Sequence, residues 1–121
     1  MDCSGLTRHL DQLDPQRICI IKPSALGDIV QSLPLLPALR ERFPRAEISW
    51  VAGASCADLL EGHPQLERVI RFERHGGLTS WRQLLQTLQQ HQFDLSIDLQ
   101  GLARTGVMNW ATRAPLRVGL E

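Results

Sequence analysis

The sequence predicts an α/β domain, a doubly wound parallel sheet of about five strands with helices on both faces. Three observations carry that expectation. Short strand-like runs alternate with helix-period segments along the whole chain, which is the pattern of βαβ units. The first run, Ile18-Cys19-Ile20-Ile21, is continuously apolar and mostly β-branched, as suits a strand buried on both faces. No repeat or low-complexity linker divides the 121 residues, a length that suits one compact domain. Right-handed crossovers put helices on both faces, and the strand order expected is 3-2-1-4-5.

Each element has its own local reason. An amphipathic lead-in (Leu6, Leu10, Leu13) reaches the turn Asp14-Pro15, and strand one follows. After residues 22–28, Ile29, Leu33, Leu36, Leu39 and Phe43 recur at helical spacing. Pro34 and Pro37 interrupt that pattern, so a kink or two joined pieces is expected, closed by Pro44. Residues 48–52 form strand two, and Ser55 is placed to cap a short helix that Gly62-His63-Pro64 stops. Residues 66–72 read as strand three. Residues 73–79 form a polar loop with paired glycines before the strongest helix pattern, in which Ser80-Trp81-Arg82-Gln83 has the form of a capping box and Trp81, Leu84, Leu85 and Leu88 share a face. Strand four is residues 93–99, with Phe93, Leu95, Ile97 and Leu99 alternating with Asp94, Ser96 and Asp98. A helix over 102–112 and a short strand at 116–118 complete the chain. Trp50 and Trp81 fit core packing, while Trp110 either covers the sheet or meets a part of the molecule outside this domain.

Composition excludes several classes. Lys plus Arg and Asp plus Glu each number 13, so no global field attracts polyanions, and no nucleic-acid partner is expected. The three cysteines (Cys3, Cys19, Cys56) form no C-x-x-C pair, and His9, His63, His75 and His91 lack ligand spacing. Neither a structural metal nor a disulfide framework is expected, and Cys19 reads as a small core residue. The N-terminus lacks the form of a signal peptide, and no apolar run approaches the roughly 18 residues of a membrane span. The expectation is a soluble, cytoplasmic protein.

Ligands of such sheets bind beyond the carboxyl ends of the strands, where the winding reverses. That selects residues 22–28, 52–55, 73–79 and 98–104. In the first loop the only glycine is Gly27, so it is neither a dinucleotide fingerprint nor a phosphate-binding P-loop. It presents Lys22, Ser24 and Asp28 around a helix N-terminus. An ionised Asp28 beside a lysine is able to accept a proton from a substrate hydroxyl; the competing reading is a helix cap. In the last loop, Asp98 and Gln100 suit sugar hydroxyls and Arg104 suits an anionic group; the competing reading gives Asp98 to capping, Gly101 to a tight turn and Arg104 to solvent. Arg68, Arg71, Arg74 and His75 line either an anionic pocket or a solvated edge.

The segment Ile20-Ile21-Lys22-Pro23-Ser24-Ala25-Leu26-Gly27-Asp28-Ile29-Val30, with Leu33-Pro34 and Arg42-Phe43-Pro44, closely resembles the opening of family 9 glycosyltransferases. So do residues 47–51, 94–102 and 117–120. The likeness runs in order from about Arg17 to the end, and the S-x-x-G-D and D-x-Q-G signatures together make it specific. The best-known members are lipopolysaccharide heptosyltransferases, with two Rossmann-like domains in the GT-B arrangement. The resemblance implies that residues 1–121 are the N-terminal, acceptor-side half, with the donor-binding C-terminal domain absent and the isolated chain inactive. It makes Asp28 the general base of an inverting transfer of heptose to a lipopolysaccharide core or related glycan acceptor, without an obligatory metal. Lys22 and Ser24 match acceptor-side positions, Gln100 and Gly101 match the second motif, and Arg104 follows it. The donor implied is a nucleotide-sugar, ADP-heptose, held mainly by the other domain; no further cofactor is implied, and peripheral contact with the inner membrane is compatible with such an acceptor.

Two rival classes remain. A noncatalytic Rossmann-like ligand- or nucleotide-binding domain shares the topology, since fold does not fix function, although the glycine fingerprint is missing. A receiver-like or adaptor module would carry clustered acids after strand one, where this sequence has Lys22-Pro23.

Overall fold

The computed structural model describes residues 15–23, 26–73, 77–99 and 103–119. Five strands, β1 (Arg17–Ile21), β2 (Glu47–Gly53), β3 (Arg68–Phe72), β4 (Leu95–Asp98) and β5 (Leu116–Gly119), form one sheet in the order β3-β2-β1-β4-β5. Every pairing is parallel; across the centre Ile20 stands beside Trp50 on one side and Ile97 on the other. The expected topology is therefore the observed one.

Helices α1 (Leu26–Ser32), α2 (Leu35–Arg42), α3 (Ala54–Leu60), α4 (Gly77–Gln90) and α5 (Ala103–Ala111) connect the strands. The period-two side-chain alternation of the strands divides the core into two halves. Ile18, Ile20, Ile48 and Trp50 pack with Ile29, Leu36 and Leu60 of the first three helices. Cys19, Ile21, Val51 and Phe72 pack on the opposite face with Leu84, Leu88 and Met108 of α4 and α5. The winding reverses between β1 and β4, and that is the point that positions a ligand site in this fold.

The two prolines after α1 divide the helical pattern into two pieces. Pro34 is the N-cap of α2 and Pro37 lies in its first turn, where a missing N–H costs nothing because no intrahelical acceptor exists there. Arg40 ties the end of α2 to the start of β2, donating to the carbonyls of Pro44, Ala46 and Gln65.

Several local expectations need correction. Ser55 does not cap α3: the N-cap is Gly53, and Ser55 is the second residue of the helix. The capping box fails likewise, because α4 begins at Gly77 and Ser80 is its fourth residue. Gly77 takes φ +71, so the chain turns into the helix axis one turn before the serine. Strand two is longer at both ends than expected. Strand three starts at Arg68 and not Leu66, whose N–H is spent in a turn with His63. Strand four is confined to Leu95–Asp98, while the last strand runs one residue further, to Gly119. Trp110 is 59% exposed and so does not cover the sheet. The lead-in Leu6, Leu10 and Leu13 lies outside the described residues.

Candidate functional site

The strand ends at the reversal point are those of β1 and β4, with Ile21 level with Asp98. One further hydrogen bond, Leu99 N–H to Ile21 O at 3.0 Å, carries the pairing past the strands. Asp98 is buried at 4% exposure. Two residues earlier Ser96, on the same side of β4, donates its hydroxyl to Asn109 Oδ1 of α5. Both residues of the polar half of the β4 alternation are thus buried, because a central parallel strand is covered on both faces.

On the β1 side, Lys22 is half-buried and is the only lysine in the chain. Its backbone is held twice by β2: its N–H donates to Val51 O at 3.3 Å, and its carbonyl accepts the Trp50 indole N–H at 3.1 Å. The Pro23 carbonyl accepts the Gly53 N–H at 2.9 Å. Sequence reasoning placed Trp50 in the core, where it is, but missed this second bond. The signal available was that a buried indole N–H has to find an acceptor.

Asp28 is the third residue of α1 and is exposed, so it does not occupy the N-cap position. Its backbone oxygen accepts the Ser32 hydroxyl at 2.8 Å. The fully buried Ile29 sets the rotation of the helix, which leaves Asp28 and Val30 facing outward. Lys22 and Asp28 thus flank the same loop at the reversal point. Ser24, Gln100 and Gly101 lie outside the described residues, as do Arg74 and His75. Arg104 is the second residue of α5, and its side chain lies outside the description.

The basic residues of β3 are engaged elsewhere. Arg71 donates to Asp58 at 2.8 Å and Glu61 at 3.2 Å. The hydrogen bond to Asp58, with the two carboxylate charges, pushes its guanidinium above the usual arginine range. Arg68 reaches the Nε2 of His91, whose Nδ1 donates to Thr87 O at 2.7 Å. β3 is an edge strand, and these contacts fit the solvated-edge reading. Among the described residues no three metal-ligating side chains converge, and no helix is long and apolar enough to cross a membrane. Cys19 and Cys56 are both buried and free, and burial pushes the Cys19 thiol far up.

No protein-family model matches the chain. The lipopolysaccharide heptosyltransferase 1 of Pseudomonas aeruginosa is 32% identical over 106 residues, covering 80% of this chain and 29% of that protein. The lipopolysaccharide core heptosyltransferase OpsX of Haemophilus influenzae is 26% identical over 105 residues, covering 87% and 30%. Among solved structures, a glycosyl transferase family 9 protein from Veillonella parvula superposes with a TM-score of 0.80 at 25% identity, covering 90% of this chain and 32% of that one. The E. coli heptosyltransferase WaaC, solved with ADP, gives 0.71 at 27% identity, covering 87% and 34%. The chain thus spans about a third of the length of the relatives it matches. The expected sheet order is observed, and over most of its own length the chain matches lipopolysaccharide heptosyltransferases and a solved glycosyl transferase family 9 protein.

Proposed function

We propose that this chain forms the acceptor side of an inverting glycosyltransferase that moves heptose from a nucleotide-sugar, ADP-heptose, to a lipopolysaccharide core acceptor. The observation that carries the reading is the place of Asp28: an exposed carboxylate at the third residue of α1, in its first turn and beside the reversal point. An acceptor hydroxyl set against it loses its proton to the carboxylate. The freed oxygen forms its bond to the anomeric carbon as the bond from that carbon to the diphosphate breaks, which inverts the centre. In this reading Lys22, Ser24, Gln100, Gly101 and Arg104, named by the two loop sequences, orient the acceptor. The nucleotide-sugar is held by a second domain in the longer protein, and the names of the relatives support both substrates.

The test is Asp28→Asn in the longer protein. As an exposed residue outside the cap position, it should change stability by no more than about 0.5 kcal/mol. Turnover should fall by about 10²–10⁴-fold, the range of a lost general base. A variant that melts normally and turns over near wild type removes Asp28 from the chemistry. The chain alone, given ADP-heptose and heptose-deficient lipopolysaccharide core, should give no product, since the donor must be held in line with the acceptor. Product above background would show that the donor site lies within this chain.

A further inference from the structure

The end of β2 is hydrogen-bonded to the segment that carries Lys22. Trp50 is wholly buried, and its indole N–H reaches the Lys22 carbonyl at 3.1 Å. Three residues on, Gly53 N–H meets the Pro23 oxygen at 2.9 Å. The approach is so close that a Cβ on Gly53 would stand 3.1 Å from that oxygen. Glycine is required there by backbone proximity and not by its conformation, since its φ is −58. With the Lys22 N–H on Val51 O, successive polar groups of the loop backbone are each fastened to β2. A phenylalanine would fill most of the apolar volume of Trp50, but it has no donor and would leave the Lys22 oxygen without its indole partner.

We propose that Trp50 and Gly53 are positioning residues of the acceptor site. By holding the carbonyls of Lys22 and Pro23 they fix where Lys22 projects and where α1, with Asp28, begins. The proposal rests on the acceptor-side reading given above. It assigns to β2, a strand that brings no candidate side chain of its own to the crevice, the task of setting the geometry of the two residues that do face it. A purely structural role for either residue would lower stability and leave the orientation of α1 unchanged in molecules that remain folded.

The experiment uses the full chain and three variants: Trp50→Phe, Gly53→Ala and, as control, Trp81→Phe. Trp81 stacks edge-on against Phe72, 5.7 Å between centroids, on the far face of the sheet. Residual dipolar couplings of the Lys22, Asp28 and Ile29 amides report the orientation of the loop and of α1 against the sheet. Titration with heptose-deficient lipopolysaccharide core oligosaccharide reports binding. The couplings should change in Trp50→Phe and Gly53→Ala but not in Trp81→Phe, and the dissociation constant should rise about tenfold in the first two, the loss expected for one buried hydrogen bond. Unchanged couplings in folded Trp50→Phe or Gly53→Ala overturn the proposal, as does an equal loss of binding in Trp81→Phe. Should one variant fail to fold, the other decides. If the unsubstituted chain does not bind the oligosaccharide, the acceptor reading fails, and the couplings still decide whether β2 sets the loop.

Discussion

β1 and α1 meet at one loop but are held in place very differently. Four of the five β1 residues, Ile18 to Ile21, are fully buried, and the strand pairs on both edges. α1 has seven residues and buries only Ile29, leaving Leu26 and Val30 about half exposed. A helix of that length has little stability of its own. The comparison teaches that the place of Asp28 is inherited: it comes from the strand and the fastened loop, with one isoleucine as the anchor on the helix side. A rigid frame and a lightly held helix thus meet at the reversal point.

The largest effect that tests this contrast comes from matched truncations. Ile20→Ala in β1 should cost about 2–5 kcal/mol in urea unfolding, the range for a buried Ile. Ile29→Ala should cost less globally, and its amide exchange should rise only within α1, because that helix opens by itself. Equal losses, with exchange raised throughout the sheet, would break the contrast. The amino end of β1 gives the next test. Asp94 Oδ2 accepts the N–H groups of Gln16 at 2.8 Å and Arg17 at 3.0 Å. Asp94→Ala should therefore cost about 1–3 kcal/mol, with early exchange at the start of β1 and none added in α1.

A smaller effect depends on pH. Burial holds the Cys19 thiol protonated in the folded chain, whereas in the unfolded chain it ionises at the ordinary value near pH 8.5. The unfolded state then binds fewer protons, so stability is complete below that pH and falls by up to about 1.4 kcal/mol per unit above it. Urea midpoints at pH 7, 9 and 10 should decline in the wild type and flatten in Cys19→Ala. A wild-type curve as flat as the variant's would mean that β1 admits the thiolate. The smallest effect should come from Arg71→Ala on the edge strand. Its ion pairs with Asp58 and Glu61 are exposed, so the change in melting temperature should be slight and vanish in high salt. A large, salt-independent loss would make the β3 edge as firmly built as β1.

Much of the frame was legible because its signals are local. The β-branched run at 18–21, the alternation of element types and the crossover rule suffice for the sheet order. The first residues of α3 and α4 were missed for a physical reason. Ser55 and Ser80 have the chemistry of caps, but a serine is also tolerated in a first helical turn, and the glycines at 53 and 77 decide where each helix begins. The site was legible in part. The placement of Lys22 and Asp28 beside the reversal point follows from the loop rule, and the family likeness sharpened it. The bond from Trp50 to Lys22 was not legible, because it joins residues 28 apart through a parallel register that no local pattern encodes. Asp94 shows the same limit: it was read as one polar step of an alternating strand, and it fastens the chain at 16–17, 77 or more residues away.

A last consequence concerns reagents. Every other basic side chain counted among the 13 is an arginine, so Lys22 holds the sole side-chain amine of these 121 residues. On this chain amine-directed chemistry therefore has two targets, the α-amine and Lys22 beside the reversal point. Once the α-amine is capped, a succinimidyl ester dye lands on one half-buried residue whose backbone is fastened to β2. Its emission would report any ligand bound beside the reversal point, and protection of Lys22 from acylation would measure that binding without knowledge of the ligand's identity.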